Sequence, residues 1–172
     1  MIELAQGSIL LRSYYDNDKD RLAELCNNKK IWDNLRDFIP YPYTILDAER
    51  FIDICHNEKP QTTFAIEYNG ELIGSIGLIL QTDVYKLTAE IGYWIGEPYW
   101  RKGITTKAVG MIVDYGFKEL GLLRIFTGVF DFNKASQRVL EKSGFKLEGI
   151  FEKSILKNGI ICNEYRYGKV KI

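Results

Sequence analysis

Two Asn-Gly dipeptides constrain this chain more than any other feature. Asn69-Gly70 lies between the apolar runs 62–68 and 72–80, and Asn158-Gly159 lies between 153–156 and 161–170. A two-residue type I′ turn needs positive φ at both central positions, which Asn and Gly supply most readily, so each dipeptide predicts a tight β-hairpin. Between the hairpins the pattern changes. Residues 88–95 (TAEIGYWI) read as a strand that Gly96-Glu97-Pro98 ends. Thr105 or Thr106 can cap a helix running to Leu120, with Gly121 at its left-handed C-terminal position. Residues 124–130 form a strand, 133–143 a helix closed by Gly144, and 145–151 a further strand. Hairpins early and late around strand-helix-strand-helix-strand give a mixed sheet in an α/β or α+β fold.

The N-terminal part supplies the remaining elements. Residues 9–14 (ILLRSY) form a first strand, and Asp16 or Asn17 caps a helix reaching about Asn27. Residues 31–43 are aromatic and broken by Pro40 and Pro42, which predicts an irregular connection. Thr44 followed by Asp47 is a capped start for a helix through His56, with Ala48, Phe51, Ile52 and Cys55 on one face. No linker or repeat divides the 172 residues, so one domain spanning 1–172 is expected.

Composition narrows the function. The 23 basic and 23 acidic residues cancel, whereas a nucleic-acid binder needs a basic excess for phosphate contacts, so no nucleic-acid partner is expected. There is no basic start followed by an apolar stretch and no run of 18 apolar residues, so neither a leader nor a membrane segment is expected. Cys26, Cys55 and Cys162 are few, odd in number and far apart, which suggests free thiols in a reducing, cytoplasmic compartment. His56 is the single histidine and reads as a solvated side chain; its solitude argues against a His-based metal site or a Ser-His-Asp triad, and no metal is expected.

The most informative stretch is Trp100-Arg101-Lys102-Gly103-Ile104-Thr105-Thr106, between a strand and a helix start. The first N–H groups of a helix lack internal partners, and the helix dipole favours negative charge beside them. Glycine at 103 lets a bulky anion approach the backbone, and Arg101 and Lys102 add positive charge. The loop is thus a candidate cradle for a phosphate or pyrophosphate. Neither G-x-x-x-x-G-K-[ST] nor G-x-G-x-x-G occurs, and an ordinary turn with exposed basic residues would read the same way.

The run AEIGYWIGEPYWRKGITTKAV (89–109) resembles the GNAT family of N-acetyltransferases, and within it the ribosomal-protein N-terminal acetyltransferases of the RimJ/RimL type. There a glutamate-bearing strand leads into a Q/R-x-x-G-x-G/A loop that holds the coenzyme A pyrophosphate. Downstream, Asn133-Lys-Ala-Ser136 and Glu141-Lys-Ser-Gly-Phe145 are similar to the family's N-x-A-S and E-K-x-G-F signature, and Phe38-Ile-Pro-Tyr-Pro-Tyr-Thr44 to the segment before its second helix. The resemblance implies a mixed, mostly antiparallel central sheet flanked by helices, with acetyl-CoA as co-substrate. Two positions depart from the pattern: Trp100 replaces Gln or Arg, and Thr105 replaces Gly or Ala, where its hydroxyl either crowds the pyrophosphate or donates to it.

The resemblance also implies roles. The pantetheine arm would pair with the backbone around Tyr93, Trp94 and Ile95 like an added strand. Glu90 is the candidate general base, with a solvated face or a structural ion pair as the alternative. Many relatives carry a tyrosine acid at the position matching Leu140; leucine cannot serve, so protonation of the leaving thiolate passes to Ser136 or to water. Asn133 either bonds the coenzyme arm or caps its helix, or both. Trp32, Arg36, Tyr41 and Tyr43 are candidates for the acceptor pocket, with core packing as the alternative for the aromatics. The expected acceptor is a peptide N-terminal amine or a small-molecule amine, and the expected state a monomer or homodimer. A non-catalytic acyl-coenzyme A sensor would keep the loop but have no use for Glu90 and Ser136.

Overall fold

The structure, a computed structural model, describes residues 2–172. Both Asn-Gly pairs form the expected turns: φ is 53° and 83° at Asn69 and Gly70, and 52° and 76° at Asn158 and Gly159. The first turn joins β3 (Thr63–Tyr68) to β4 (Glu71–Leu80), and the second joins β7 (Lys146–Lys157) to β8 (Ile160–Val170). With β1 (Leu4–Gln6), β2 (Ile9–Arg12), β5 (Thr88–Ile95) and β6 (Arg124–Phe130), they make one eight-stranded sheet in the order β1-β2-β3-β4-β5-β6-β8-β7. Six of the seven pairings are antiparallel, and β5–β6 is parallel.

Helices cover both faces. On one face α1 (Lys19–Cys26) and α3 (Ile45–His56) bury Leu22, Ala48 and Ile52 against Ala65 and Leu72. On the other, α4 (Ile104–Lys118) and α5 (Lys134–Lys142) pack Val109, Ile112 and Leu140 against Phe64, Ile76, Ile91 and Ile125. The centre of β4 is therefore buried on both sides, which explains its continuous apolar run where an alternating pattern would mark a half-exposed strand. Thr44 caps α3 as expected: its hydroxyl accepts from the Asp47 N–H at 3.2 Å, and the Asp47 carboxylate accepts from the Thr44 N–H at 2.9 Å.

The structure differs from the sequence reading at several boundaries. The segment after β2 starts with a single 3₁₀ turn, Asp16–Asp18, before α1. Asp18 is the residue that organises it: its carboxylate accepts from the Tyr15 N–H at 2.7 Å and from both terminal nitrogens of buried Arg12 at 2.7 and 3.0 Å. A short helix α2 (Lys29–Trp32), capped by Asn28, precedes the irregular 33–43 segment. Helix α4 begins after Gly103, so Thr105 and Thr106 lie in its first turn and do not cap it. The two short strands expected over 145–156 are one strand, β7, bulged where Lys153 turns to φ 51°. His56 is half-exposed and its Nε2 sits 2.8 Å from the Tyr14 carbonyl, so it is held rather than free.

Candidate active site

The site begins where two strands part. β5 and β6 are paired only through Thr88–Arg124, Ala89–Ile125 and Glu90–Phe126, although β5 continues to Ile95 and β6 to Phe130. The backbone directions on β5 are fixed by their partners. Thr88 and Gly96 bond toward β4, while the Leu87 and Ile95 carbonyls accept from the β6 side, from Leu123 N–H and the Trp100 indole. Odd-numbered residues therefore face β6. Beyond the Glu90 pairing, Tyr93 and Ile95 direct N–H groups into the gap, with no strand opposite among the described residues. From Glu90 to Ile95 the opened edge is ~16 Å long at the usual strand rise.

At the far end of that edge lies the 100–106 loop. The Trp100 indole donates to the Ile95 carbonyl at 2.7 Å and ties the loop to the strand. Arg101 and Gly103 both adopt left-handed φ, 63° and 74°, and this double turn aims the α4 N-terminus outward. No side chain among the described residues caps α4, so the first-turn amides of Ile104, Thr105 and Thr106 are free of side-chain acceptors. Arg101, Lys102 and Gly103 are exposed, and a Cβ at Gly103 would meet nothing within 4 Å. These features fit a diphosphate: several N–H donors, the positive end of a 15-residue helix and two cations beside an open approach.

The near end of the gap holds the titratable groups. The side chains of Glu90 and Trp94 share one face, where Trp94 packs toward α1 and α3; Tyr93 packs toward α4 on the other. Glu90 is largely buried and is ion-paired with exposed Arg36 from the 33–43 segment. On the opposite face the Tyr93 and Ser136 hydroxyls are 2.8 Å apart. Burial pushes the Tyr93 phenol up to about 12, against a smaller opposing effect of the Ser136 hydrogen bond, so it keeps its proton at neutral pH. Asn133 caps α5, its side chain accepting from the Ser136 N–H at 3.1 Å, which fixes the serine at the first turn. Leu140 is fully buried in the α4-side core, consistent with its having no part in proton transfer.

One cavity of about 520 Å³ joins these groups. Glu90 from one face and Tyr93, Asn133 and Ser136 from the other all line it, so it passes through the sheet at the gap. Arg36 and Tyr43 line it as well. Trp32 and Tyr41 do not. Their rings lie 5.4 Å apart outside it, and the Trp32 indole donates to the Ile39 carbonyl at 2.8 Å, so they brace the segment whose other residues form the wall. Sequence reasoning missed Phe38, Ile39, Phe51 and Ile54 on that wall, together with Arg50. Only the i, i+3 spacing of Phe51 and Ile54 with Asp47 and Arg50 could have marked them as one helix face. It also assigned Tyr93 by its backbone alone, since its hydroxyl partner lies 43 residues downstream.

Comparison with known proteins places this geometry. The acetyltransferase (GNAT) domain model matches residues 8–146. YdaF of Bacillus subtilis (strain 168), provisionally named a ribosomal N-acetyltransferase, is 38% identical over 173 residues, covering 95% of this chain and 91% of YdaF. The spermidine N(1)-acetyltransferase of Escherichia coli (strain K12) is 27% identical over 160 residues, covering 92% and 84%. Among solved structures, RimL, a ribosomal L7/L12 alpha-N-protein acetyltransferase in complex with coenzyme A, superposes with a TM-score of 0.87 over 98% of both chains at 18% identity. The eight-stranded, mostly antiparallel sheet with helices on both faces is the fold of this group, and the chain belongs to the GNAT family of acetyl-CoA-dependent N-acetyltransferases.

Proposed function

We propose that the protein acetylates a protein N-terminal α-amine, of the ribosomal-protein type. The observation that carries this reading is the cavity through the sheet, which brings Glu90 and the Tyr93–Ser136 hydroxyl pair to one space from opposite faces. Thioester aminolysis needs a base for the amine, donors for the developing oxyanion and an acid for the departing thiolate. Glu90 takes the amine proton, directly or through water. The Tyr93 and Ile95 N–H groups face the gap where a pantetheine arm adds as a strand, and the same edge offers a donor to the oxyanion. The Ser136 hydroxyl, backed by the Tyr93 phenol, protonates the thiolate. The α4 N-terminus with Arg101 and Lys102 holds the pyrophosphate, and Trp100 acts by anchoring the loop.

The lining favours an α-amine over a polyamine. A polyamine needs a second free carboxylate for its distal charge. Besides Glu90 the cavity offers Asp47, which is already engaged in the Thr44 cap. Arg36 and Arg50 oppose further cations and suit the carbonyls of a peptide, while Phe38, Phe51 and Ile54 suit an apolar first side chain. An α-amine also asks less of the base, because about a tenth of it is neutral at pH 7. The full-length likeness to a spermidine acetyltransferase keeps the small-amine alternative as the second arm of the test. The buried free thiols of Cys26, Cys55 and Cys162 suit a reducing, cytoplasmic setting.

The experiment is a thiol-release assay with acetyl-CoA against N-terminal peptides and polyamines. Peptides are expected to be preferred, and Glu90→Gln to lower kcat/KM by about 10²-fold. Turnover of polyamines alone would reject the acceptor assignment. An unchanged rate for Glu90→Gln across pH 6–9 would reject the base.

A further inference from the structure

Lys157 sits at the tip of the β7–β8 hairpin, far from the candidate base in sequence and outside the cavity lining. Its neighbours at the tip are strongly exposed, Leu156 and Ile160 at 67% and Ile161 at 63%, yet the Lys157 side chain is only 4% exposed. Its Nζ donates to the Asp37 carboxylate at 2.6 Å and lies 3.6 Å from the centre of the Trp32 ring. Next to it, the Asn158 side-chain amide donates to Asp33 at 2.8 Å. Burying an ammonium is costly, and here an ion pair and an aromatic face offset the cost. Both partners belong to the stretch that walls the acceptor side of the cavity through Leu35, Arg36, Phe38 and Ile39.

We propose that Lys157 is a positioning residue for the acceptor: it clamps segment 33–41 over the cavity and so sets how tightly the amine substrate is held. The proposal rests on the acceptor-side reading above and adds a residue to it. Within the segment, the Asn34 N–H bonds to Ile31, Leu35 to Trp32 and Ile39 to Arg36. Besides the Arg36–Glu90 ion pair, the side-chain bonds that tie those turns to the body of the fold come from the hairpin tip, Lys157 to Asp37 and Asn158 to Asp33. Loosening the clamp moves Arg36 and Phe38 and leaves the coenzyme edge of β5 and the 100–106 loop untouched.

The test uses Lys157→Met, which keeps the stem and removes the charge, and Lys157→Arg as the conservative variant. For Lys157→Met the acceptor KM is expected to rise about tenfold, with the acetyl-CoA KM within twofold of the parent. Amide hydrogen exchange should accelerate at Asn34, Leu35 and Ile39, and Lys157→Arg should restore both readings to within threefold. Asp37→Asn, at a carboxylate 63% exposed, removes the ion pair without disturbing the core and should reproduce part of the effect. Unchanged acceptor KM and unchanged exchange would overturn the proposal. So would equal rises in both KM values with a lowered melting temperature, which is what a purely structural lysine gives. Should no amine be turned over while acetyl-CoA still binds, the acceptor reading fails, and the exchange rates at 34–39 alone decide whether the clamp exists.

Discussion

Arg36 and Glu90 form an ion pair in the cavity wall, and on the proposed reading it is the pair on which acceptor choice turns. The carboxylate is largely buried and the guanidinium is exposed on a segment that can shift, so an incoming amine meets a negative charge already compensated. Removing the guanidinium leaves Glu90 facing the cavity uncompensated, which favours cations. Arg36→Ala is therefore expected to raise kcat/KM for a diamine relative to a dipeptide by about tenfold, a shift of about 1.4 kcal/mol in relative transition-state binding, read from competition assays. An unchanged ratio would remove Arg36 from selectivity. At this scale the sequence was partly legible. Glu90 and Ser136, which line the cavity, could be picked out because each sits at a fixed step of a motif. Their partners could not be named: Arg36 lies 54 residues away and reaches Glu90 through an irregular segment whose path no local pattern encodes. Trp32 and Tyr41 looked like pocket residues because aromatic composition does not distinguish the inner wall of a pocket from the brace behind it.

Among the elements, α4 carries the most specific expectation. Its N-terminus is uncapped and follows two left-handed residues, so its first amides are directed outward by backbone geometry. A side chain at Gly103 has room but not the backbone conformation, at a cost of about 1 kcal/mol. Gly103→Glu adds a negative charge at the same point. Coenzyme A affinity by calorimetry is expected to fall at least tenfold, while the melting temperature drops by only a few degrees. Unchanged affinity would mean that the pyrophosphate is held elsewhere. Elements that depend on local chemistry were legible: both Asn-Gly hairpins and the Thr44–Asp47 cap stand where the residues put them. Elements that depend on neighbours were not. β1 is three residues long and exists by pairing with β2, and the bulge at Lys153 answers to its register against β8. The helix cap was misplaced by two residues at Thr105, or three at Thr106, because either threonine resembles a cap, whereas the left-handed Gly103 precedes a helix that starts at Ile104.

For the molecule as a whole, the burial of acidic protons in its two cores predicts how it responds to alkali. Burial pushes the thiols of Cys26 and Cys55 from 9.0 up to about 12, and the Tyr93 phenol from 10.0 up to about 12; Tyr14 and Tyr43 shift the same way. In the unfolded chain these groups lose their protons near their ordinary values, while in the folded chain they keep them. The unfolded state then binds fewer protons, so stability is fully present well below pH 9 and falls as pH rises through 9 toward 12. Two thiols contribute a slope on the order of 2–3 kcal/mol per pH unit once both are ionised in the unfolded chain, and the phenols steepen it above pH 10. Urea midpoints measured at pH 8, 9, 10 and 11 should dip slightly over the first interval and drop more steeply across the later ones. Cys55 does not line the cavity, so Cys55→Ala should flatten the slope by about one proton while leaving acetylation intact. A midpoint that stays level to pH 11 would mean that the α1–α3 core admits water to its thiols, and that the wall it gives the cavity is looser than the packing of Leu22, Ala48 and Ile52 requires.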